Sequence, residues 1–163
     1  MSLQIRRAKA EDWAALRQIR LAALTEAPWA FGSTLQREQG FDEQTWRSRA
    51  EGQAVFLVVD RDRLVGTATA YVDPGQPPAE VQVTGMYVAP EGRGHGCARL
   101  LLDAVLGHAV TIGAGRVLLR VTTANPHAGN VYRHHGFEET GRREPLLHSP
   151  GVDQVEMALS LVP

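Results

Sequence analysis

The sequence predicts a single domain of the mixed α/β class, and three observations lead to this prediction. Its 163 residues match the size of one domain. Apolar residues follow helical spacing in some segments and extended spacing in others, so helices and strands are interspersed along the chain. Hydrophobic residues make up 44% of the sequence and charged residues 21%, which is typical of a folded globular protein with a sizeable core.

The first half of the chain is predicted to contain a strand, two helices and a hairpin. A strand at 4–8 comes first. Trp13, Leu16, Ile19 and Ala23 then recur at three- and four-residue spacing, which is typical of one face of a helix that begins at residue 11 and ends before Pro28. A weaker helix is predicted at 42–51. An apolar run at 55–59, a polar turn at 60–63 and a second strand at 64–72 predict the hairpin.

The second half opens with a loop at 73–78 that is rich in proline and glycine, and a strand follows at 81–88. A helix at 97–112 is the clearest element, because Leu101, Val105 and Ala109 form one apolar stripe that predicts packing on a sheet. A strand at 117–122, a short helix at 126–135 and two closing strands at 137–142 and 154–161 complete the chain. The predicted order is strand, helix, helix, three strands, helix, strand, helix and two strands.

Composition excludes several classes of partner. Seventeen Lys and Arg residues oppose eighteen Asp and Glu residues without a long basic run, so we predict no nucleic-acid partner. No stretch approaches the roughly 18 consecutive apolar residues of a membrane-spanning helix, so we predict no membrane partner. Cys97 is the only cysteine, which excludes an intramolecular disulfide and favours a cytoplasmic location.

A glycine-rich turn separates the strand at 81–88 from the helix at 97–112. Gly94, Gly96 and Ala98 carry no bulky side chain, so consecutive backbone N–H groups and the helix dipole can face a bound anion. Glycines also serve simply to permit positive φ angles, so the turn alone leaves both interpretations open. A nucleotide P-loop is excluded because Gly-Lys-Ser/Thr is absent, and Arg99 stands where a dinucleotide loop requires a small residue.

A second segment, at 125–137, follows the next strand, and together the two segments resemble the signatures of the GNAT superfamily of N-acetyltransferases. The family's R-x-x-G-x-A turn is matched by Arg93, Gly96 and Ala98, and its N-x-x-A-x-x-x-Y-x-x-x-G-F segment by Asn125, Ala128, Tyr132, Gly136 and Phe137. The predicted element order is also similar to that family's fold. The resemblance implies a mixed, mostly antiparallel sheet of about seven strands with about four helices, in which strands 4 and 5 splay apart.

The resemblance further implies that the chain binds acetyl-CoA as a co-substrate. The amides of Arg93 to Arg99 would hold the pyrophosphate of coenzyme A, and the backbones of Met86 and Val88 would hydrogen-bond the pantetheine arm like a substitute strand. Asn125 would reach that arm from the other side. The implied residues are Met86, Val88, Arg93, Gly94, His95, Gly96, Cys97, Ala98, Arg99, Asn125 and Tyr132.

For the chemistry, the resemblance implies Tyr132 as the acid that protonates the leaving thiolate and the N–H of Val88 as the group that polarises the thioester carbonyl. The base is open. Many relatives carry a glutamate where this chain has Gln82, which cannot accept a proton at neutral pH. Glu80 lies on the same face two residues earlier and is the candidate base, acting through water. Two alternatives are equally open. Water removes the proton without a protein base, or Glu80 is an ordinary exposed carboxylate.

Trp29 and Phe31 lie where the family's first two helices wall the acceptor pocket, so they either line it or anchor the core. No metal is predicted, because adjacent His134 and His135 point in different directions on a helix and no carboxylate or cysteine completes a set with His127. Cys97 lacks a partner histidine, so we expect a small spacer in the turn and no nucleophile.

The predicted function is therefore transfer of an acetyl group from acetyl-CoA to an amine of a small molecule or peptide, by direct attack in a ternary complex. The alternative is a module of the same fold that binds or senses acyl-CoA without chemistry, which the departure at Gln82 makes conceivable. A homodimer also remains open, because the closing strands offer an edge for pairing.

Overall fold

The centre of the structure, a computed structural model that describes residues 1–75, 79–147 and 149–161, is a seven-stranded β-sheet. The strands are β1 (Leu3–Arg7), β2 (Ala54–Asp60), β3 (Arg63–Tyr71), β4 (Glu80–Val88), β5 (Arg116–Thr122), β6 (Glu138–Pro145) and β7 (Asp153–Ser160). Among the described residues they are ordered β1-β2-β3-β4-β5-β7-β6, with β4 and β5 parallel and all other neighbours antiparallel. The predicted mixed, mostly antiparallel sheet is confirmed. Residues 76–78 of the predicted loop lie outside the described residues.

Helices of the described residues lie on both faces of the sheet. They are α1 (Trp13–Glu26), α2 (Leu35–Gln39), α3 (Glu43–Gly52), α4 (Cys97–Thr111) and α5 (Pro126–His134). The sequence predicts about four, and α2 is the additional one. It has five residues and is capped by the preceding Thr34, whose hydroxyl accepts a hydrogen bond from the Arg37 N–H at 3.2 Å. A helix this short shows no apolar periodicity in the sequence.

Two hydrophobic layers position the helices. The stripe predicted on α4, which includes Leu101 and Val105, packs with β2, β3 and β4 in one layer. Leu16 and Ile19 of α1 belong to the layer on the opposite face, together with residues of α3 and β2. Burial of each such side chain contributes about 1.5–3 kcal/mol, so the central strands are held firmly from both sides.

A bulge interrupts β4 close to its end. Thr67 of β3 is opposite Tyr87, but Thr69 is opposite Thr84, so β4 has one more residue than β3 over this stretch. The backbone of Gly85 has a φ of 58°, in the left-handed region that favours glycine. The extra residue therefore lies at the Gly85–Met86 step, and it redirects the rest of the strand.

The bulge also separates β4 from β5. The parallel pairing runs from Glu80 opposite Arg116 to Val83 opposite Leu119, and beyond this point β4 has no partner on that side among the described residues. The predicted splay of strands 4 and 5 is confirmed. The space beside residues 84–88 of β4 is called the gap below.

Candidate active site

The backbone of Val88 faces the gap. Gly66 and Val88 are directly opposite in the β3–β4 ladder, and the next pair is hydrogen-bonded because the Ala89 N–H donates to the Val65 carbonyl at 2.8 Å. Hydrogen-bonded and non-hydrogen-bonded pairs alternate in an antiparallel ladder, so both polar groups of Val88 point away from β3. The carbonyl accepts a hydrogen bond from the guanidinium of Arg93 at 3.1 Å. The N–H of Val88 has no acceptor in the described part of the chain and is available to a ligand.

Residues 94–99, called the glycine turn, present free backbone donors at the start of α4. Their amides donate to no acceptor in the described part of the chain. Gly94 and Gly96 have φ angles of 79° and 86°, and a Cβ on either would meet no atom within 4 Å. The amide of Arg93 donates instead to the Pro90 carbonyl at 3.3 Å, so the free donors begin one residue later than the resemblance implies. Consecutive free amides at a helix N-terminus suit a phosphate group.

The side chains of Arg93 and Cys97 hold the glycine turn against the segment that precedes it. Arg93 binds the Val88 carbonyl and forms an ion pair with Glu26 of α1. Cys97 is 2% exposed, and its thiol donates to the Gly92 carbonyl at 3.2 Å. Burial raises the pKa of this thiol, which disfavours the thiolate. The buried position of Cys97 and its raised pKa favour a packing role over that of a nucleophile.

Polar side chains surround the glycine turn on its exposed side. His95 and Arg99 are exposed, and Arg99 lies 3.9 Å from Asp103. The ring of His135 contacts the same carboxylate at 3.0 Å, which ties the end of α5 to α4. No group of three His, Cys, Asp or Glu side chains in the described ranges could hold a metal ion. In the same ranges, no helix is both long enough and apolar enough to span a membrane.

Helix α5 places two of the expected residues at the gap. Asn125 caps the helix, since its side-chain oxygen accepts the Ala128 N–H at 3.2 Å, and this leaves its amide N–H groups free to donate. Tyr132 packs edge-on against Phe137 with ring centres 6.2 Å apart. Burial raises the pKa of Tyr132 to about 12, and its hydroxyl makes no hydrogen bond within the described residues. The phenol is therefore protonated at neutral pH and has a proton to donate.

A cavity of about 430 Å³ opens at the gap and is called the central cavity. Of the expected residues, it brings together Phe31, Met86, Asn125 and Tyr132. Trp29 belongs to the short turn Pro28–Ala30 and is not among the lining residues. The site therefore combines the loop after α1, the bulge of β4 and one face of α5.

Glu80 is not brought to Tyr132. It lies at the first residue of β4, about 20 Å of strand from Met86, where it forms an ion pair with Arg116. It lines a separate cavity of about 840 Å³. Gln82 lines this cavity as well, so the two residues share a face as expected, but Gln82 also reaches the central cavity. Strand length therefore separates the candidate base from the gap.

Glu156 is a carboxylate of the central cavity that the sequence analysis missed. It lies on β7, is 7% exposed, and accepts a hydrogen bond from the Thr140 hydroxyl at 2.9 Å. The guanidinium of Arg142 is 3.8 Å away. The sequence does contain a pattern that indicates this position. The apolar Val155 and Met157 flank Glu156 on the strand, so alternation places Glu156 on the face opposite the core.

A second missed feature is the arginine cluster, formed by Arg20 of α1, Glu38 of α2 and Arg49 of α3. Glu38 is 0% exposed. Arg20 donates to both its oxygens, at 2.9 and 3.0 Å, and Arg49 donates at 2.7 Å. Burial alone raises the pKa of Glu38, but hydrogen bonds and charge from Arg20, with help from Ser33 and Arg49, outweigh burial and lower it to about 2. The carboxylate is therefore ionised throughout the neutral range.

Comparison with known proteins identifies what this chain is similar to. A model described as the acetyltransferase (GNAT) family matches residues 10–137. A mycothiol acetyltransferase of Rhodococcus opacus is 33% identical over 141 residues, which are 85% of this chain and 46% of that protein. An uncharacterized protein of Mycobacterium leprae is 38% identical over 92 residues, which are 56% of this chain and 25% of that protein. The chain thus spans less than half the length of these two relatives.

Solved structures share the fold. The structure of yncA from Salmonella typhimurium with its cofactor acetyl-CoA superimposes with a TM-score of 0.82, at 20% identity, over 100% of this chain and 96% of that chain. At this level of identity, the likeness concerns the fold alone.

Proposed function

The protein belongs to the acetyltransferase (GNAT) family, and we propose that it transfers an acetyl group from acetyl-CoA to a primary amine of a small molecule or peptide. The observation that carries the proposal is the gap. It has the available N–H of Val88 on β4, and its cavity is lined by Asn125 and Tyr132. A thioester with an extended, amide-containing arm suits this gap, because such an arm can hydrogen-bond to the free edge of β4 as a strand does.

The glycine turn fits the phosphates of the same molecule. Its amides donate to no acceptor among the described residues, and a Cβ on Gly94 or Gly96 would meet no described atom within 4 Å. Any side chain at these two positions would project into the space beside the turn. The pyrophosphate of coenzyme A would accept hydrogen bonds there and interact favourably with the α4 dipole.

In the proposed reaction, the neutral amine attacks the carbonyl carbon of the thioester. A C–N bond forms, the C–S bond breaks, the nitrogen loses one proton and the sulfur gains one. The N–H of Val88 donates to the carbonyl oxygen as negative charge develops on it. Tyr132 donates the proton to sulfur, since its raised pKa of about 12 keeps the phenol neutral. The proton released by the amine restores the phenol, so the products are the N-acetylated amine and free coenzyme A.

Removal of the extra proton of the ammonium form, before the attack, is assigned to water held by Glu156, which passes this proton to solvent. A lysine or α-amino group has a pKa of about 10.4 or about 8, so it arrives mostly protonated. Glu156 is the acidic side chain among the described residues that line the central cavity, whereas Glu80 is paired with Arg116 elsewhere. The proposal therefore moves the role expected of Glu80 to Glu156.

Thermal unfolding tests the binding half of the proposal. Acetyl-CoA at about one hundred times its dissociation constant stabilises a protein by roughly 2.7 kcal/mol, so the midpoint should rise by several degrees. NAD and ATP, tested in parallel, should produce smaller shifts. A shift with NAD or ATP and none with acetyl-CoA would contradict the assignment of the glycine turn.

Thiol release from acetyl-CoA, measured with a panel of primary amines, tests the chemical half. Amine-dependent thiol release together with a new N-acetyl product supports the transferase. Tight binding of acetyl-CoA without thiol release for any amine would favour a binding or sensing module. That alternative draws on Gln82, which stands where a base would be expected.

A further inference from the structure

Arg20 is a feature of the central cavity for which acetyl transfer alone gives no role. Its Nε and Nη2 atoms donate to the two oxygens of Glu38, and its Nη1 atom makes no hydrogen bond within the described residues. This Nη1 atom lies 3.7 Å from the point that a Cβ on Gly85 would occupy. The free end of the guanidinium is therefore directed at the bulge of β4, where the proposed reaction takes place.

The guanidinium of Arg20 is held rigidly. Two parallel hydrogen bonds to one carboxylate fix the plane of an arginine side chain. Glu38 is itself completely buried, and its Oε1 atom also accepts a hydrogen bond from Arg49 at 2.7 Å. A group immobilised in this way loses little further entropy when it binds a ligand. The geometry is that of a preorganised donor.

The arginine cluster carries an excess of positive charge. Two guanidinium groups share the single carboxylate of Glu38, which leaves one net positive charge. Arg37 adds a second arginine to the cavity lining, and its Nη1 donates to the neutral hydroxyl of Ser33 at 3.1 Å. This end of the central cavity therefore favours an anion.

The opposite wall of the cavity is more nearly neutral. Arg120 lies 3.3 Å from Glu144, and Glu156 lies 3.8 Å from Arg142. These charges compensate one another within β5, β6 and β7. The uncompensated charge is thus concentrated at Arg20 and Arg37, beside the loop that follows α1.

We propose that the acceptor is an amine that carries a carboxylate close to its nitrogen, as a free amino acid does, and that the Nη1 group of Arg20 binds this carboxylate. The inference rests on the proposed acetyl transfer and names its substrate class. Guanidinium groups match the geometry of carboxylates, and the nearness of Nη1 to Gly85 requires a short spacing between the anion and the reacting amine. A peptide N-terminus offers only a neutral carbonyl at that position.

Matched triples of amines test the proposal. Each triple comprises an L-amino acid, its carboxamide and its decarboxylated amine, with the same side chain. Acetylation of each is measured as kcat/KM at saturating acetyl-CoA and corrected for the fraction of neutral amine. For at least one side chain, the acid should exceed both neutral analogues by about tenfold or more. Equal rates within every triple would overturn the proposal while leaving the acetyltransferase assignment intact.

Two variants of the arginine cluster separate recognition from packing. Arg20→Lys retains a positive charge near Glu38 but removes the Nη1 group, so the preference for the acid should fall towards unity through KM. Arg49→Lys disturbs the same buried carboxylate yet leaves Arg20 in place, so the preference should persist. Loss of the preference in both variants, or in neither, contradicts the proposal. An increased KM for acetyl-CoA in Arg20→Lys alone would assign Arg20 to the nucleotide instead.

A binding measurement keeps the proposal testable apart from turnover. With coenzyme A at saturation, the amino acid should raise the unfolding midpoint more than its carboxamide does, and Arg20→Lys should remove that difference. If no amine releases thiol but this difference is present, the transferase fails and the carboxylate site stands. If thiol is released and no amino acid produces the difference or the kinetic preference, the carboxylate site fails alone.

Discussion

The glycine turn and the arginine cluster both present positive potential beside the gap, but they are built differently. The turn uses backbone N–H groups of six consecutive residues and depends on two glycines with positive φ. The cluster uses side chains from three helices around one buried carboxylate. A site made from one segment is a local property of the chain, whereas a site made from three helices exists only when those helices are packed. The cluster should therefore contribute more to global stability than the turn does.

The largest effect is expected for Glu38→Gln. Removing this carboxylate leaves two arginines beside an uncharged buried partner, which typically costs about 3–5 kcal/mol. Denaturant unfolding at neutral pH measures the loss. Glu43→Gln is the matched control, because it breaks an exposed ion pair with Arg47 and should cost about 0.3–0.5 kcal/mol.

The contrast is sharpened if folded Glu38→Gln still binds acetyl-CoA with the affinity of the wild type. A parallel loss of acetyl-CoA binding would show that the glycine turn also depends on the cluster. Equal destabilisation by Glu38→Gln and Glu43→Gln would deny the cluster its role in stability.

Acid titration is expected to produce the next largest effect. Folding lowers the pKa of Glu38 from 4.5 to about 2, so the unfolded chain binds more protons in this range and stability rises with pH. The contribution, about 3 kcal/mol, is complete above the unfolded pKa and is lost as the pH falls through the folded pKa. Asp12 also has a lowered pKa, so the wild type and Glu38→Gln are compared at each pH. The difference between them should shrink steadily on acidification, and a constant difference would refute the assignment.

Tyr132→Phe tests the side chain proposed to protonate the leaving sulfur at the gap. Removing the proton donor should lower kcat by about one hundredfold with little change in the KM for acetyl-CoA. Tyr87→Phe is the control, because that hydroxyl donates to Glu26 at 3.3 Å on the other face of the sheet. An unchanged rate in Tyr132→Phe would remove Tyr132 from the mechanism.

The most selective effect on ligand binding is expected for Gly96→Ala, and its effect on folding should be smaller than that of Glu38→Gln. Gly96 and Gly113 have φ angles of 86° and 78°, and neither has an atom within 4 Å of a Cβ position. Alanine at either site should therefore cost about 1–2 kcal/mol of stability through backbone strain. Only Gly96→Ala should weaken acetyl-CoA binding, which isothermal titration measures directly. Equal affinities in the two variants would mean that the glycine turn does not hold the ligand.

The local features of this molecule could be predicted from its sequence because each depends on one continuous segment of the chain. The strand, glycine turn and helix around Gly96 follow from spacing and small residues, and the resemblance correctly implied the splay of β4 from β5. The short helix around Glu38 was missed, because its stability comes from a cap at Thr34 and from arginines distant in the sequence. Such contacts leave no periodic pattern.

The assignment of a base shows the same limit. Alternation along β4 correctly places Glu80 and Gln82 on one face, but it does not reveal how far along the strand the gap begins. Glu156 reaches the central cavity because β7 lies next to β5, which is a property of sheet order. Strand order depends on long-range pairing, so a carboxylate from the last strand could not be linked to the gap by spacing alone.

The sheet consists of two halves, β1–β4 and β5–β7, and the pairing of β4 with β5 joins them over one short stretch. This stretch consists of Glu80–Val83 against Arg116–Leu119, and beyond it β4 has no strand partner on that side among the described residues. A ligand that hydrogen-bonds to this edge of β4 supplies hydrogen bonds that a neighbouring strand would otherwise make. Part of the binding free energy of the ligand then stabilises the association of the two halves. Ligand binding should therefore slow amide hydrogen exchange in residues of both halves.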